Sequence, residues 1–122
     1  MKFHLENAPG QNLFTGYGSG YVSINRERHE RSLVVSADRL LFDWPLRWEE
    51  ITAAHFEFLL GLGPEVVLIG TGPTQKFPNP SLFRCLYEAR IGVEILDSQA
   101  ACRTYNILVA EGRKVVAAVM MP

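Results

Sequence analysis

The chain has 122 residues, 48% of them hydrophobic and 20% charged, with a formal net charge of −1. That length suits one domain whose modest core needs neither disulfides nor a metal. The near-neutral balance excludes a strongly basic nucleic-acid-binding surface and gives no pull toward an anionic membrane.

Residues 1–20 are rich in Gly, Asn and Pro and read as a loose N-terminal arm. Tyr21-Val22-Ser23-Ile24 alternates and predicts a strand. The mixed-charge stretch from Arg26 to Arg31 reads as a solvated turn. Ser32 to Ser36 is then the returning strand, and Arg39 to Phe42 a third short one after the Ala37-Asp38 turn. Together they predict an N-terminal antiparallel hairpin or meander.

From Trp48 the period changes. Thr52 is placed as an N-cap, with Ile51 and Phe56 as a hydrophobic staple. The helix predicted from Ala53 to Leu60 stops at Gly61. Glu65 to Ile69 is a β-branched run without polar alternation, the mark of a strand covered on both faces. It ends at Gly70-Thr71-Gly72. A proline-punctuated loop leads to Asn79-Pro80, a cap followed by Pro in the first helical position, and a helix from Pro80 to Ala89. Ile91 to Leu96 is the next strand. Asp97-Ser98 caps a helix from Gln99 to Glu111, which ends at Gly112. Lys114 to Met120 is the last strand. With no internal repeat and no linker, residues 1–122 read as a single domain.

Strand, helix and strand from Glu65 to Leu96 make one βαβ unit in an α/β fold. Such crossovers are right-handed and place the strands parallel. Both carboxyl ends then lie on one edge, so Gly70-Thr71-Gly72 and Asp97-Ser98 are expected to face one crevice, the usual ligand position in open α/β sheets. The glycines allow close approach, and Thr71 offers a hydroxyl. The helix start offers unpaired N–H groups and a positive dipole end, suited to a carboxylate or phosphate. Arg103 would supply a charged fork, and Lys76 sits in the adjoining loop. The same residues also fit a tight strand exit and a helix cap. The spacing is neither a dinucleotide fingerprint nor a P-loop.

Cys102 lies near the helix start beside Arg103, and both features favour thiolate; a small buried residue is the competing reading. Cys85 reads as core. Neither cysteine belongs to a C-x-x-C or has histidine at ligand spacing, so no metal site is expected. His4, His29 and His55 are scattered and carry no assigned role. Glu94 interrupts an apolar strand and calls for a partner such as Arg103 or Arg113, or a place in the crevice. On the last helix Ala101, Tyr105 and Leu108 share the face toward the sheet, with Arg103 and Asn106 facing away. No catalytic set and no cofactor is expected. The start, Met1 to Glu6, lacks a signal-peptide core and the arginine-rich, acid-poor character of a mitochondrial presequence. No apolar run approaches the roughly 20 residues that cross a bilayer. A cytoplasmic, bacterial-type protein with reduced thiols and no membrane insertion is the expectation.

Several blocks carry a resemblance: Val67 to Gly72, Phe77-Pro78, Gly92-Val93-Glu94, Ala100 to Leu108 and Glu111-Gly112-Arg113. With these the chain resembles the domain-of-unknown-function family 498, which contains the mitochondrial complex I assembly factor 3 proteins and many bacterial homologues. The likeness covers most of the chain after Tyr21. The block around Ala101 to Leu108 is the most specific part; Ser32-Leu33 and Trp44 carry the weaker N-terminal part. Where relatives often have threonine after the aspartate, this chain has Ser98, which still caps a helix. The resemblance implies a three-layer domain around a mixed β-sheet, with the last strand antiparallel to its neighbours. It also implies action through protein partners in the assembly of NADH:ubiquinone oxidoreductase, with no established catalytic residues.

The candidate pocket or contact residues are therefore Gly70, Thr71, Gly72, Asp97, Ser98, Cys102, Arg103 and Asn106. The leading expectation is a non-enzymatic interaction or assembly factor whose partners are respiratory-chain assembly proteins. The alternative is a protein or enzyme that binds a small anionic ligand in the crevice. A homodimer, formed through a strand edge or helix face, is the third.

Overall fold

Alternating side chains on the central strands serve two cores at once. In the computed structural model, which describes residues 10–122, Val67 and Ile69 point into one core while Val66 and Leu68 point into the other. The last strand divides in the same way, with Val116, Ala118 and Met120 opposite Val115, Ala117 and Val119. A strand buried on both faces needs a continuous apolar run, which is what these segments carry.

The chain order is β1 (Phe14–Gly18), β2 (Tyr21–Ile24), β3 (Glu27–His29), β4 (Leu33–Ser36), β5 (Arg39–Leu41), α1 (Ala53–Leu60), β6 (Val66–Thr71), α2 (Arg84–Glu88), β7 (Gly92–Leu96), α3 (Ser98–Ala110) and β8 (Val115–Met120). Short 3-10 turns occupy Trp48–Glu50 and Pro80–Phe83, the second leading into α2. Strands β1, β2 and β3 form a small antiparallel sheet. The main sheet runs β5-β4-β8-β6-β7. In it β6 is parallel to both β7 and β8, while β4 is antiparallel to β8 and β5. The fold is thus a mixed α/β arrangement with a βαβ unit and an N-terminal antiparallel hairpin, as expected. One detail differs. The last strand is antiparallel only to β4, because the crossover from β7 through α3 returns it parallel to β6.

Three layers result. Helices α1 and α2 bury Phe56, Leu59 and Leu86 on one face of the main sheet. On the other face lie α3 and the small sheet, joined in one cluster that includes Phe14, Val22, Ile24, Cys102, Tyr105 and Val109. Each such side chain removed from water contributes about 1.5–3 kcal/mol before the entropy of ordering is set against it.

The N-terminal expectations need two corrections. Residues 1–9 of the expected loose arm lie outside the described residues, but Phe14–Gly18 is a strand with Phe14 and Tyr17 buried. The polar composition of this region masked two large aromatic anchors. The stretch from Arg26 to Arg31 is not wholly a turn either. Its residues 27–29 form β3, which pairs with β2, and the chain reverses at Asn25-Arg26. Both turn residues have positive φ, +50° and +70°, as a two-residue type I′ turn requires. Strand β4 therefore leaves the small sheet and pairs with β5 and β8.

Helix α1 begins after Thr52, whose N–H donates to His55 Nδ1 at 2.9 Å. That bond satisfies one of the donors left over at a helix start.

Candidate functional site

The carboxyl edge of β6 and β7 brings Gly70, Thr71, Gly72, Asp97 and Ser98 together, as the βαβ geometry requires. They meet by packing against one another. Gly72 N–H donates to Ser98 Oγ at 2.7 Å, and Ser98 N–H donates to the Gly72 carbonyl at 2.9 Å. Gly72 holds φ at +99°, a conformation that favours glycine. At Gly70 a Cβ would stand 3.0 Å from Ser98 Oγ and 3.2 Å from Ser98 Cα, so glycine lets the first turn of α3 rest on β6. Asp97 Oδ1 accepts from Ala100 N–H at 3.0 Å, a cap bond.

Thr71 is buried and knots the loop that follows it. Its hydroxyl donates to the Thr74 carbonyl at 2.7 Å, lies 3.2 Å from the Leu96 carbonyl, and accepts from Lys76 N–H at 3.0 Å. One hydroxyl thus fixes the course of residues 71–76. Gln75 adds a bond from Nε2 to the Ile95 carbonyl at 2.7 Å.

The remaining three candidates lie further along α3, two of them bonded to β1. Cys102 is fully buried. Burial pushes its thiol well above the ordinary range, outweighing the pull of Arg103 toward thiolate, and nearby Asp97 adds to the rise. Asn106 is buried too, with hydrogen bonds to both backbone groups of Phe14 at 2.9 and 2.8 Å. It was expected to face away from the sheet into a polar setting; the small sheet covers that side of α3. Arg103 donates from Nη1 to the Tyr17 hydroxyl at 2.7 Å. Among the described residues no ion pair joins Arg103 to Asp97 or to Glu94. Glu94 is exposed on the edge strand β7, and Arg113 instead lies 3.6 Å from Glu65.

A cleft of about 460 Å³ does open on this edge, displaced toward β8. Thr71, Gly72, Met120 and Met121 line it from the strand ends, and Leu46, Arg47 and Trp48 from the segment before α1. Arg31 and Lys76 stand at the same cleft. The rule that ligands sit beyond carboxyl ends of parallel strands located the edge. It did not locate residues 46–48, whose place at the cleft is set by tertiary packing between segments far apart in sequence. Lys76 was legible in sequence as a cation beside the Gly-Thr-Gly exit.

Among the described residues no group of three or more His, Cys, Asp or Glu side chains is placed to hold a metal ion, and no helix is long and apolar enough to cross a membrane.

Known proteins share this architecture. A crystal structure of a Bordetella parapertussis protein superposes with a TM-score of 0.87 at 41% identity, covering 95% of this chain and 100% of that one. The "13 kDa major membrane protein" of Francisella tularensis is 30% identical over 118 residues, 94% of this chain and 95% of its own length. The bovine NADH dehydrogenase (ubiquinone) 1 alpha subcomplex assembly factor 3 is 35% identical over 77 residues, 62% of this chain and 42% of the bovine protein. The chain thus spans less than half of that longer relative. The family model described as "Protein of unknown function (DUF498/DUF598)" matches residues 14–120, and the chain belongs to that family.

Proposed function

We propose that this protein is a non-enzymatic assembly factor that acts by protein contact in the building of respiratory complex I. One observation carries the reading. The polar groups best placed for chemistry are committed to one another and to the backbone: Thr71, Gly72 and Ser98 at the strand exit, Asn106 and Arg103 against β1. Large apolar side chains, by contrast, face water: Leu46 is 66% exposed, Phe77 74% and Ile107 57%. Internal satisfaction of polar groups with exposed apolar anchors is the distribution of a contact protein, whose binding energy comes from a few such anchors.

The kinship with a complex I assembly factor supplies the process. The bovine protein's name refers to that protein, and the matched region is under half of it. On this reading the chain is cytoplasmic and works on a membrane-bound complex, which accords with a relative named as a membrane protein.

Deleting the gene tests the proposal. Assembled NADH:quinone oxidoreductase on native gels should fall several-fold and return with a plasmid copy. Unchanged amounts of the assembled complex overturn it.

A further inference from the structure

We infer that the cleft at the carboxyl ends of β6 and β8 is a docking groove for an acidic segment of a partner protein that also carries apolar side chains. The inference rests on the protein-contact reading above and names the surface and the partner's chemistry.

Volume and lining come first. At about 460 Å³ the cleft lies within the roughly 300–1,000 Å³ span of ligand sites. Leu46, Trp48, Met120 and Met121 give it an apolar interior. Phe77, 74% exposed, directly follows Lys76 at the same loop. Of the apolar lining residues Leu46 is exposed and Trp48 and Met121 are half-buried, so a partner's anchor side chains would find apolar surface there, with Phe77 beside the lining in sequence.

Charge fixes the partner's sign. Two carboxylates line the cleft, and each already has an arginine. Glu30 lies 2.9 Å from Arg28, and Glu49 lies 3.8 Å from Arg47. Arg31 rests over the Phe42 ring at 5.2 Å, and neither it nor Lys76 has a carboxylate within ion-pair distance among the described residues. The groove therefore keeps in its lining two cations without an ion-pair partner among the described residues. Complementary potential calls for acidic groups on the occupant, which would govern association rate and salt dependence.

The loop is also prepared in advance. Thr71 holds the Lys76 N–H, and Gln75 is tied to Ile95, so little ordering is left for binding to supply. A lipid surface suits this site less well. The apolar lining belongs to a concavity, which a flat bilayer surface fills poorly, and among the described residues only Arg31 and Lys76 are left without an ion-pair partner there. Lipid recognition by electrostatics draws on clusters of about four to eight Lys and Arg.

The test selects peptides from a random-sequence display library on the folded wild-type protein. Selected peptides are then measured by fluorescence anisotropy against wild type, Lys76→Glu, Phe77→Ser and the remote control Arg84→Glu, each shown by thermal melting to be folded. Anionic phosphatidylglycerol vesicles are measured in parallel. The expected result is a set of sequences with Asp or Glu beside Leu, Phe, Trp or Met. Affinity should drop about tenfold or more with Lys76→Glu, drop with Phe77→Ser and with added salt, and stay unchanged with Arg84→Glu. Sequences without an acidic bias overturn the proposal, as does affinity indifferent to Lys76→Glu. Vesicle binding lost in Lys76→Glu, with no peptide selected, overturns it in favour of a membrane surface. A Lys76→Glu copy that fully restores complex I in the deletion strain removes the groove and leaves the assembly role standing. Acidic peptides selected as expected, with normal complex I in the deletion strain, keep the groove and remove the assembly role.

Discussion

Asn106 on α3 grips both backbone groups of Phe14 on β1. Its Oδ1 accepts from the Phe14 N–H at 2.9 Å, and its Nδ2 donates to the Phe14 carbonyl at 2.8 Å, both out of water. One side-chain amide thereby does at the edge of β1 what a neighbouring strand would do. Two further bonds bind the same segment to α3: Tyr105 hydroxyl to the Asn12 carbonyl at 2.9 Å, and Arg103 to the Tyr17 hydroxyl at 2.7 Å. The Tyr105 and Phe14 rings meet edge to face at 5.2 Å. This seam joins the small sheet to α3, beside the bonds from Asn12 to Ala37, Ser36 and Arg39 and from Gly20 to Pro122.

Asn106→Ala should therefore cost about 2–4 kcal/mol of unfolding free energy, because it strands a buried donor and a buried acceptor together. Asn106→Asp should cost comparably, since a carboxylate cannot donate to the Phe14 carbonyl. Urea unfolding monitored by circular dichroism measures both. A loss under about 0.5 kcal/mol, the level of ordinary surface changes, would contradict the seam.

At the strand exit, Ser98→Ala should cost about 1–2 kcal/mol by leaving the buried Gly72 N–H unpaired. Gly72→Ala should cost about 1–3 kcal/mol because φ is +99° there. The two groups share one bond, so the double variant should lose less than the sum. Full additivity in thermal melting would show that the bond contributes little.

Much of this was legible from residues alone. The β-branched run before Gly70, the Asn79-Pro80 start and the Asp97 cap each carry their own local signal, and the parallel β6–β7 pair follows from the crossover rule. The N-terminal third was harder. Asn25-Arg26 turns without a glycine, and Glu27-Arg28-His29 forms an edge strand whose charges serve to keep that edge from pairing. Phe14 and Tyr17 sit in a glycine-rich context that gives no period. At the site, the meeting of Gly70-Thr71-Gly72 with Asp97-Ser98 followed from the crossover rule, and the local pattern fitted both an open crevice and the tight strand exit with a helix cap that the hydrogen bonds make. The roles of Asn106 and of residues 46–48 at the cleft depend on segments far apart in sequence, for which local pattern carries no information.

Cys102 should be unreactive in the folded protein. Burial raises its thiol, and the thiolate is the reacting form. Burial and the nearby Glu57 charge raise the Cys85 thiol too, but Cys85 is only half-buried and so can be reached from solvent. Labelling with a mild disulfide reagent at neutral pH should modify Cys85 first, and Cys102 only after denaturant is added. Rapid native labelling of Cys102 would contradict its burial.

Alkaline pH should unfold the chain progressively. Burial raises both the Cys102 thiol and the Tyr105 hydroxyl above their ordinary values of 9.0 and 10.0. Below those values both states hold the protons, and stability is unaffected. Above them the unfolded chain releases protons that the folded chain keeps, so stability falls by up to about 1.4 kcal/mol per pH unit for each group. Cys102→Ala should flatten the fall that begins near pH 9. An unchanged slope in that variant would show that Cys102 does not drive it.

The most direct measurement of the central claim is affinity purification of the tagged protein from its own cells in mild detergent, with partners identified by mass spectrometry. The account predicts that subunits of NADH:quinone oxidoreductase or its assembly proteins enrich strongly over an untagged control. Recovery of folded protein with none of them enriched would contradict it.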